Sequence, residues 1–411
     1  MVLRYLKVVL AKPEHPFWVV SQQVVVRGLL AIKFLLAARF LGPGKMGLVG
    51  VALLSLAIVE SVSDTGLAQA IIQRQKIVSG AEAGAAWTLL LCRGLALSAL
   101  MFMMAMPIAG FFEIPGAAPL VALAAIIPLL RNAINPGYFL VQRVCNFRNI
   151  SYYEGSAALA DFIVTMLAIQ NNFGAASLLI GNIASDSIKM LVSWSWFRMQ
   201  MMPNFRWRIL KSLTAFGKWI WGTSLITLIL NQLDKVLVAK ILGPVEFGLY
   251  QVASRIAQLV VSDAATALGQ YLYPIFSKTN RTSAKSAKFL FEKVMKILVV
   301  CSFMIAVSLI IMSPILLGNI LGEKWIAATP VLRIMALSMF FGSVISILVA
   351  YIKASGNPRV VTIATFIQLL ALISFAPLLV KFLGSVGMAL ANAIALSVTV
   401  FVFMMTVRKM K

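Results

Sequence analysis

The sequence predicts an all-α polytopic membrane protein: about twelve spanning helices in two six-helix lobes related by a parallel repeat. The first observation behind this is composition. Of 411 residues, 61% are apolar and 12% are charged, and the mean hydropathy is +0.94. A spanning helix takes roughly 20 residues, so the apolar stock fills about twelve spans. Soluble domains carry about 25% charged residues, and a globule of this size with half that fraction could not cover its surface. A soluble enzyme, a disordered chain and a secreted disulfide scaffold are thereby excluded.

The apolar runs place spans one to six near residues 17–40, 46–70, 85–110, 117–140, 153–171 and 174–197. Spans seven to twelve follow near 216–241, 247–276, 294–319, 328–352, 359–381 and 384–407. The cuts fall where Gly and Pro break the helical pattern, as in Leu41-Gly42-Pro43-Gly44 and Ser355-Gly356-Asn357-Pro358, or at the basic stretch from Lys278 to Lys288. The expected organisation is a cytoplasmic segment 1–16, an N-lobe 17–198, a cytoplasmic linker 199–215 and a C-lobe 216–411.

Charge asymmetry is the second observation. With the N-terminus inside, the cytoplasmic segments hold 23 Lys and Arg and the opposite side holds only Lys45, Lys324 and Lys381. This split sets both the direction and the span count, and puts both termini in the cytoplasm. The net charge of +23 would suggest a nucleic-acid partner in a soluble protein; here it reads as membrane orientation, and no nucleic-acid partner is expected.

The third observation is an internal repeat. Shifted by 201 residues, 18–70 aligns with 219–271 without a gap and with 16 identities. Leu41-Gly42-Pro43 meets Leu242-Gly243-Pro244, and Gly47-Leu48 meets Gly248-Leu249. The offset contains six spans, so both halves enter the membrane in the same direction. Parallel repeats of this kind mark two-lobed transporters that hold substrate between the lobes.

Charges within spans are costly and face cavities or partners. Arg27 lies ten residues into span one, about 15 Å deep at a rise of about 1.5 Å per residue, with Gln23 one turn before it. Gln251, Arg255, Gln258 and Ser262 follow helical spacing and form one polar stripe. Lys33 and Arg131 are further basic candidates, and Lys189 reads as a local partner of Asp186. Arg27, Lys33, Arg131, Arg255 and Gln258 are therefore the candidate substrate contacts. Glu60 and Asp64 share a helix face; either they exchange an ion or they neutralise basic residues of span one, and Asp263 has the same ambiguity. The three cysteines and the single His15 offer no metal or nucleophile spacing, so no metal, no cofactor and no enzymatic centre is expected.

Ser63-Asp64-Thr65-Gly66-Leu67-Ala68, running into Ile71-Ile72-Gln73-Arg74, resembles the S-D-x-G-x-A-x-x-I-I-Q-R stretch of bacterial polysaccharide flippases. Gly322-Glu323-Lys324-Trp325 with Pro330-Val331-Leu332 resembles their G-E-K-W-x-x-x-x-P-V-L segment. The chain is similar to the lipopolysaccharide and colanic-acid exporter branch, the Wzx type, of the multidrug/oligosaccharidyl-lipid/polysaccharide superfamily. The resemblance implies flipping of an undecaprenyl-pyrophosphate-linked oligosaccharide (an O-antigen, capsule or exopolysaccharide repeat unit) across the bacterial cytoplasmic (inner) membrane. It also implies alternating access, H+ or Na+ coupling in at least some members, and work beside glycan polymerase machinery. The matched motifs contain none of the candidate arginines. An ion-coupled multidrug or metabolite antiporter is the competing reading, but organic cations favour an acidic cavity and the intramembrane charge here leans basic.

Overall fold

The computed structural model describes residues 15–63, 80–144, 146–197, 199 and 207–409, which are helical and contain no strand. Asp64 lies outside them, as do most of the first flippase-like motif, residue 198 at the end of the expected N-lobe, and residues 200–206 of the expected linker. Among the described residues, six helical stretches are long and apolar enough to cross a membrane. Large apolar side chains such as Phe102, Ile311 and Phe401 are exposed on them, as helices facing lipid require. Backbone contacts divide the chain into two compact units, Met1–Leu41 with Leu48–Leu233, and Gly42–Gly47 with Asp234–Lys411.

Helix α1 runs Pro16–Val62. Pro16 stands in its first turn, and His15 caps it, its Nδ1 accepting from the Phe17 N–H at 3.1 Å. The one histidine is thus a helix cap. α1 breaks at Gly42, where φ is 74°: glycine takes the left-handed conformation and Pro43 supplies no N–H to continue the ladder. The first unit continues with α2 (Gly80–Met103), α3 (Ala105–Phe111), α4 (Ala118–Ala124), α5 (Ile126–Asn132) and α6 (Gly137–Arg143). Two full-length helices complete it, α7 (Phe147–Gln170) and α8 (Ala176–Trp196).

Small residues set the helix spacing in this unit. A Cβ on Gly181 of α8 would overlap Thr165 Oγ1 and stand 2.6 Å from Asp161 Oδ1, both on α7. A Cβ on Gly94 of α2 would stand 2.8 Å from Asn132 Cβ on α5. Such approaches let polar side chains on facing helices reach one another within a membrane.

Helix α9 (Trp207–Ala257) repeats the break of α1, with φ 78° at Gly243 before Pro244. A single π turn, Gln258–Ser262, joins it to α10 (Asp263–Thr282). Then come α11 (Ala284–Leu316), α12 (Thr329–Ala354) and α13 (Pro358–Lys409), which breaks at Gly384 with φ 59°. The second unit's core stacks Phe291 on Tyr351 with ring centres 4.2 Å apart, and Phe276 lies edge-on to both. Its two repeat-related turns meet reciprocally. A Cβ on Gly47 would overlap the Pro244 carbonyl oxygen, and one on Gly248 would overlap that of Pro43.

Candidate functional site

In the first unit the charged groups gather on facing helices. Arg131, in the last turn of α5, divides its guanidinium between two carboxylates. Nε donates to Asp186 Oδ2 of α8 at 2.9 Å, and Nη1 donates to Glu60 Oε2 of α1 at 2.8 Å. The Arg131 side chain is nevertheless 41% exposed. Arg93 of α2 lies beside it; its Nη2 donates to Ser63 Oγ and to the Glu60 carbonyl, both at 3.0 Å. Its Nη1 donates to Asn132 Oδ1 at 3.3 Å. Both arginines line a cavity of about 340 Å³ with Glu60, Asn132 and the apolar Leu90 and Phe139. That volume lies within the roughly 300–1,000 Å³ of small-ligand sites. Among the described lining residues the two guanidinium groups stand beside one carboxylate, Glu60, and Asp186 pairs with Arg131 as well; the planar fork of each guanidinium has the geometry to donate to phosphate oxygens.

A second cluster is buried. Lys33 Nζ donates to Asp161 Oδ2 at 2.7 Å and to Asn182 Oδ1 at 3.2 Å, while Thr165 donates to Asp161 Oδ1 at 3.3 Å. Both charged side chains of the pair are buried, 8% and 4% exposed. Closer to the end of α8, Lys189 reaches Glu154 Oε2 at 2.7 Å, and Tyr138 donates to the other oxygen of Glu154 at 3.0 Å. The local Lys189–Asp186 pair expected from sequence is therefore corrected. Asp186 binds Arg131 and Lys189 binds Glu154 of the neighbouring helix, because packing brings α7 closer to Lys189 than its own turn does. Glu60 likewise pairs with Arg131 of α5 and not with a basic residue of the first span.

The remaining candidates fall elsewhere. Arg27 and Gln23 are both exposed on α1, and among the described residues Arg27 has no ion pair. In the second unit, Arg255 is half-buried and donates from Nη1 to Gln258 Oε1 at 3.1 Å. Gln251 Oε1, one turn earlier, is buried without a hydrogen bond. The expected stripe ends there. The π turn inserts a residue into the helical period, so Ser262 rotates into the core, where it bonds the Gln258 carbonyl at 3.3 Å. Asp263 opens α10, half-buried. Among the described residues no three His, Cys, Asp or Glu side chains gather as a metal site.

The candidate residues read from the sequence did not include Asn132 or Ser63, which bond Arg93, nor Tyr250, which donates to Asp234 Oδ2 at 2.7 Å in the second unit. Asn392 completes that cluster, its amide 3.3 Å from Tyr250 Oη. In the sequence Asp234, next to Lys235, shows only the ambiguity that Asp263 shares, between ion exchange and neutralising a basic residue.

Residues 36–330 match the family described as polysaccharide biosynthesis protein. The lipopolysaccharide biosynthesis protein WzxC of Escherichia coli K12 is 24% identical over 343 residues, 83% of this chain and 67% of that protein. The teichuronic acid biosynthesis protein TuaB of Bacillus subtilis is 24% identical over 278 residues, 67% of this chain and 57% of TuaB. Among solved structures, the lipid II flippase MurJ in an inward closed conformation superposes with a TM-score of 0.75 at 15% identity, covering 95% of this chain and 87% of MurJ. An inward-facing multidrug transporter of the MATE family superposes at 0.67 with 14% identity, over 94% of this chain and 95% of that one. The chain therefore has the fold of these membrane transporters.

Proposed function

The chain belongs to the polysaccharide biosynthesis protein family, and on that premise we propose that it flips an undecaprenyl-pyrophosphate-linked oligosaccharide across the bacterial cytoplasmic membrane. The observation that carries this reading is the cavity that Arg93 and Arg131 line side by side, two guanidinium groups whose donors an arriving diphosphate can share with Glu60 and Asp186. A pyrophosphate cannot cross hydrocarbon bare, and two fixed guanidinium groups replace its counter-ions with charge-assisted hydrogen bonds. The names of the similar proteins WzxC and TuaB, both glycan biosynthesis proteins, support the substrate class.

Arg131 supplies the step. Its guanidinium already holds two carboxylates by single bonds, so an arriving diphosphate competes with Glu60 and Asp186 for the same donors. Glu60, once displaced, faces the cavity as the proton acceptor. When the diphosphate leaves, Arg131 returns to Glu60 and the proton is released. This couples substrate and proton through one side chain. Arg27, Arg255 and Gln258 contact the substrate at other stages, and Lys33 joins them in a conformation that has opened the Asp161 pair. Asp64 and Asp263 remain proposed partners in ion exchange.

The cycle runs between two six-helix lobes, with twelve spans and both termini in the cytoplasm, as the repeat and the charge split support. The ion carried is a proton or Na+, and glycan polymerase machinery is the proposed downstream partner. An organic-cation antiporter would need a predominantly acidic lining, whereas the described lining residues set two arginines beside one glutamate. A flipping assay with defined lipid-linked oligosaccharides in proteoliposomes, run beside organic-cation uptake, separates the two. Glycan flipping without cation uptake is expected, and the reverse would overturn the reading.

A further inference from the structure

A second cavity, of about 590 Å³, lies wholly within the second unit between α10 and α12. The two helices cross closely at its upper end. A Cβ on Gly269 would stand 2.9 Å from the Ser346 carbonyl oxygen, and Thr266 and Ser346 hydroxyls share a hydrogen bond at 3.3 Å. From that closed end the helices run towards their C-termini, and Ile345, Val349 and Ala350 form an apolar wall. The other end changes character: Gln270 and Tyr273 face the cavity from α10, and Lys353, in the last turn of α12, closes the lining. Lys353 and Gln270 are exposed, and Tyr273 is 45% exposed.

Helical spacing extends the polar end. Thr266, Gln270, Tyr273, Ser277 and Arg281 recur at intervals of four, three, four and four, one face of α10. Arg281 thus follows Tyr273 by about two turns on the same side and is exposed. Among the described residues no carboxylate lines the cavity. A cleft with an apolar wall, an aromatic hydroxyl at its lip and cations beyond has the chemistry of an amphiphile: chains along the wall, Tyr273 at headgroup level, and an anionic headgroup on the cations.

We propose that this cleft is a binding site for an anionic glycerophospholipid, with its phosphate on Lys353 and an acyl chain against Ile345, Val349 and Ala350. Among the described residues Lys353 is the lining cation, which matches a phosphodiester, whereas the diphosphate of the proposed substrate is matched by the paired arginines of the first unit. The site is independent of the flipping assignment.

Native mass spectrometry of the purified full chain, stripped of lipid and titrated with phosphatidylglycerol, tests it. The wild type retains phosphatidylglycerol in preference to phosphatidylcholine. Lys353→Gln and Val349→Phe each lower its retention about tenfold, a loss of one contact's worth of affinity, while Lys353→Arg keeps it. Thermal unfolding in detergent, unchanged in Lys353→Gln, separates lost binding from lost folding. Equal retention in Lys353→Gln and wild type would overturn the proposal. So would displacement of phosphatidylglycerol by undecaprenyl phosphate at a lower concentration than phosphatidylglycerol itself needs, which would assign the cleft to the polyprenyl lipid.

Discussion

Lys33 Nζ and Asp161 Oδ2 lie 2.7 Å apart although 128 residues separate them in the chain. Asn182 accepts a second bond from Lys33 and Thr165 donates to Asp161, so the two buried charges are held by polar partners. Removing one member strands the other. Lys33→Met should cost about 3–5 kcal/mol of stability, because a buried carboxylate loses its counter-charge. Lys33→Met with Asp161→Leu should recover most of it. Thermal unfolding of the single and double variants in detergent checks this; a double variant no more stable than the worse single one would show that the pair is not the source.

Close helix approach makes a separate prediction. Gly181→Ala should destabilise the protein by about 1–3 kcal/mol through overpacking, since its Cβ would overlap Thr165 Oγ1. Gly28→Ala meets no atom within 4 Å and should be neutral or mildly stabilising through helix propensity. Expression level and melting temperature read both. Equal behaviour of the two variants would contradict the packing reading.

Coupling through Arg131 predicts a pH effect. A Gln at position 60 still accepts a hydrogen bond from Arg131 but carries no exchangeable proton. Glu60→Gln should therefore flatten the pH dependence of flipping, whereas Asp186→Asn should slow flipping and keep its pH profile. Flipping rates measured across pH 5.5–8.5, a range of about 1.5 units either side of neutral chosen to span proton coupling, give the test. An unchanged profile in Glu60→Gln would remove Glu60 from the coupling.

Much of the fold is legible in the sequence because its determinants are local. Gly42-Pro43 and Gly243-Pro244 carry their turns in adjacent residues: one supplies positive φ, the other lacks a donor. Gly322 also takes a positive φ, 101°, and its carbonyl accepts from the N–H of the buried Trp325 of the second flippase-like motif at 3.0 Å. The side-chain partners were less legible. Which carboxylate meets Lys33 or Lys189 depends on α7 and α8 packing through Gly181, a contact that no spacing rule contains. The polar stripe on α9 failed at Ser262 because a π turn shifts the register without any residue type that announces it. Arg131 could be found from its depth alone, but its two carboxylate partners come from helices 71 and 55 residues away.

The central claim is that Arg93 and Arg131 form the diphosphate site of a flippase, and the most direct measurement is flipping of a lipid-linked oligosaccharide by purified variants in proteoliposomes. Arg131→Ala and Arg93→Ala should each slow flipping about 100-fold or more, the effect of losing one charge-assisted contact of roughly 3 kcal/mol. Arg131→Lys should restore only part of the rate because an ammonium lacks the planar fork, and Arg359→Ala, on an exposed helix start, should leave it unchanged. If Arg131→Ala and Arg93→Ala, folded and correctly inserted, flip the glycan at the wild-type rate, the diphosphate does not bind in this cavity and the mechanism proposed for Arg131 is wrong.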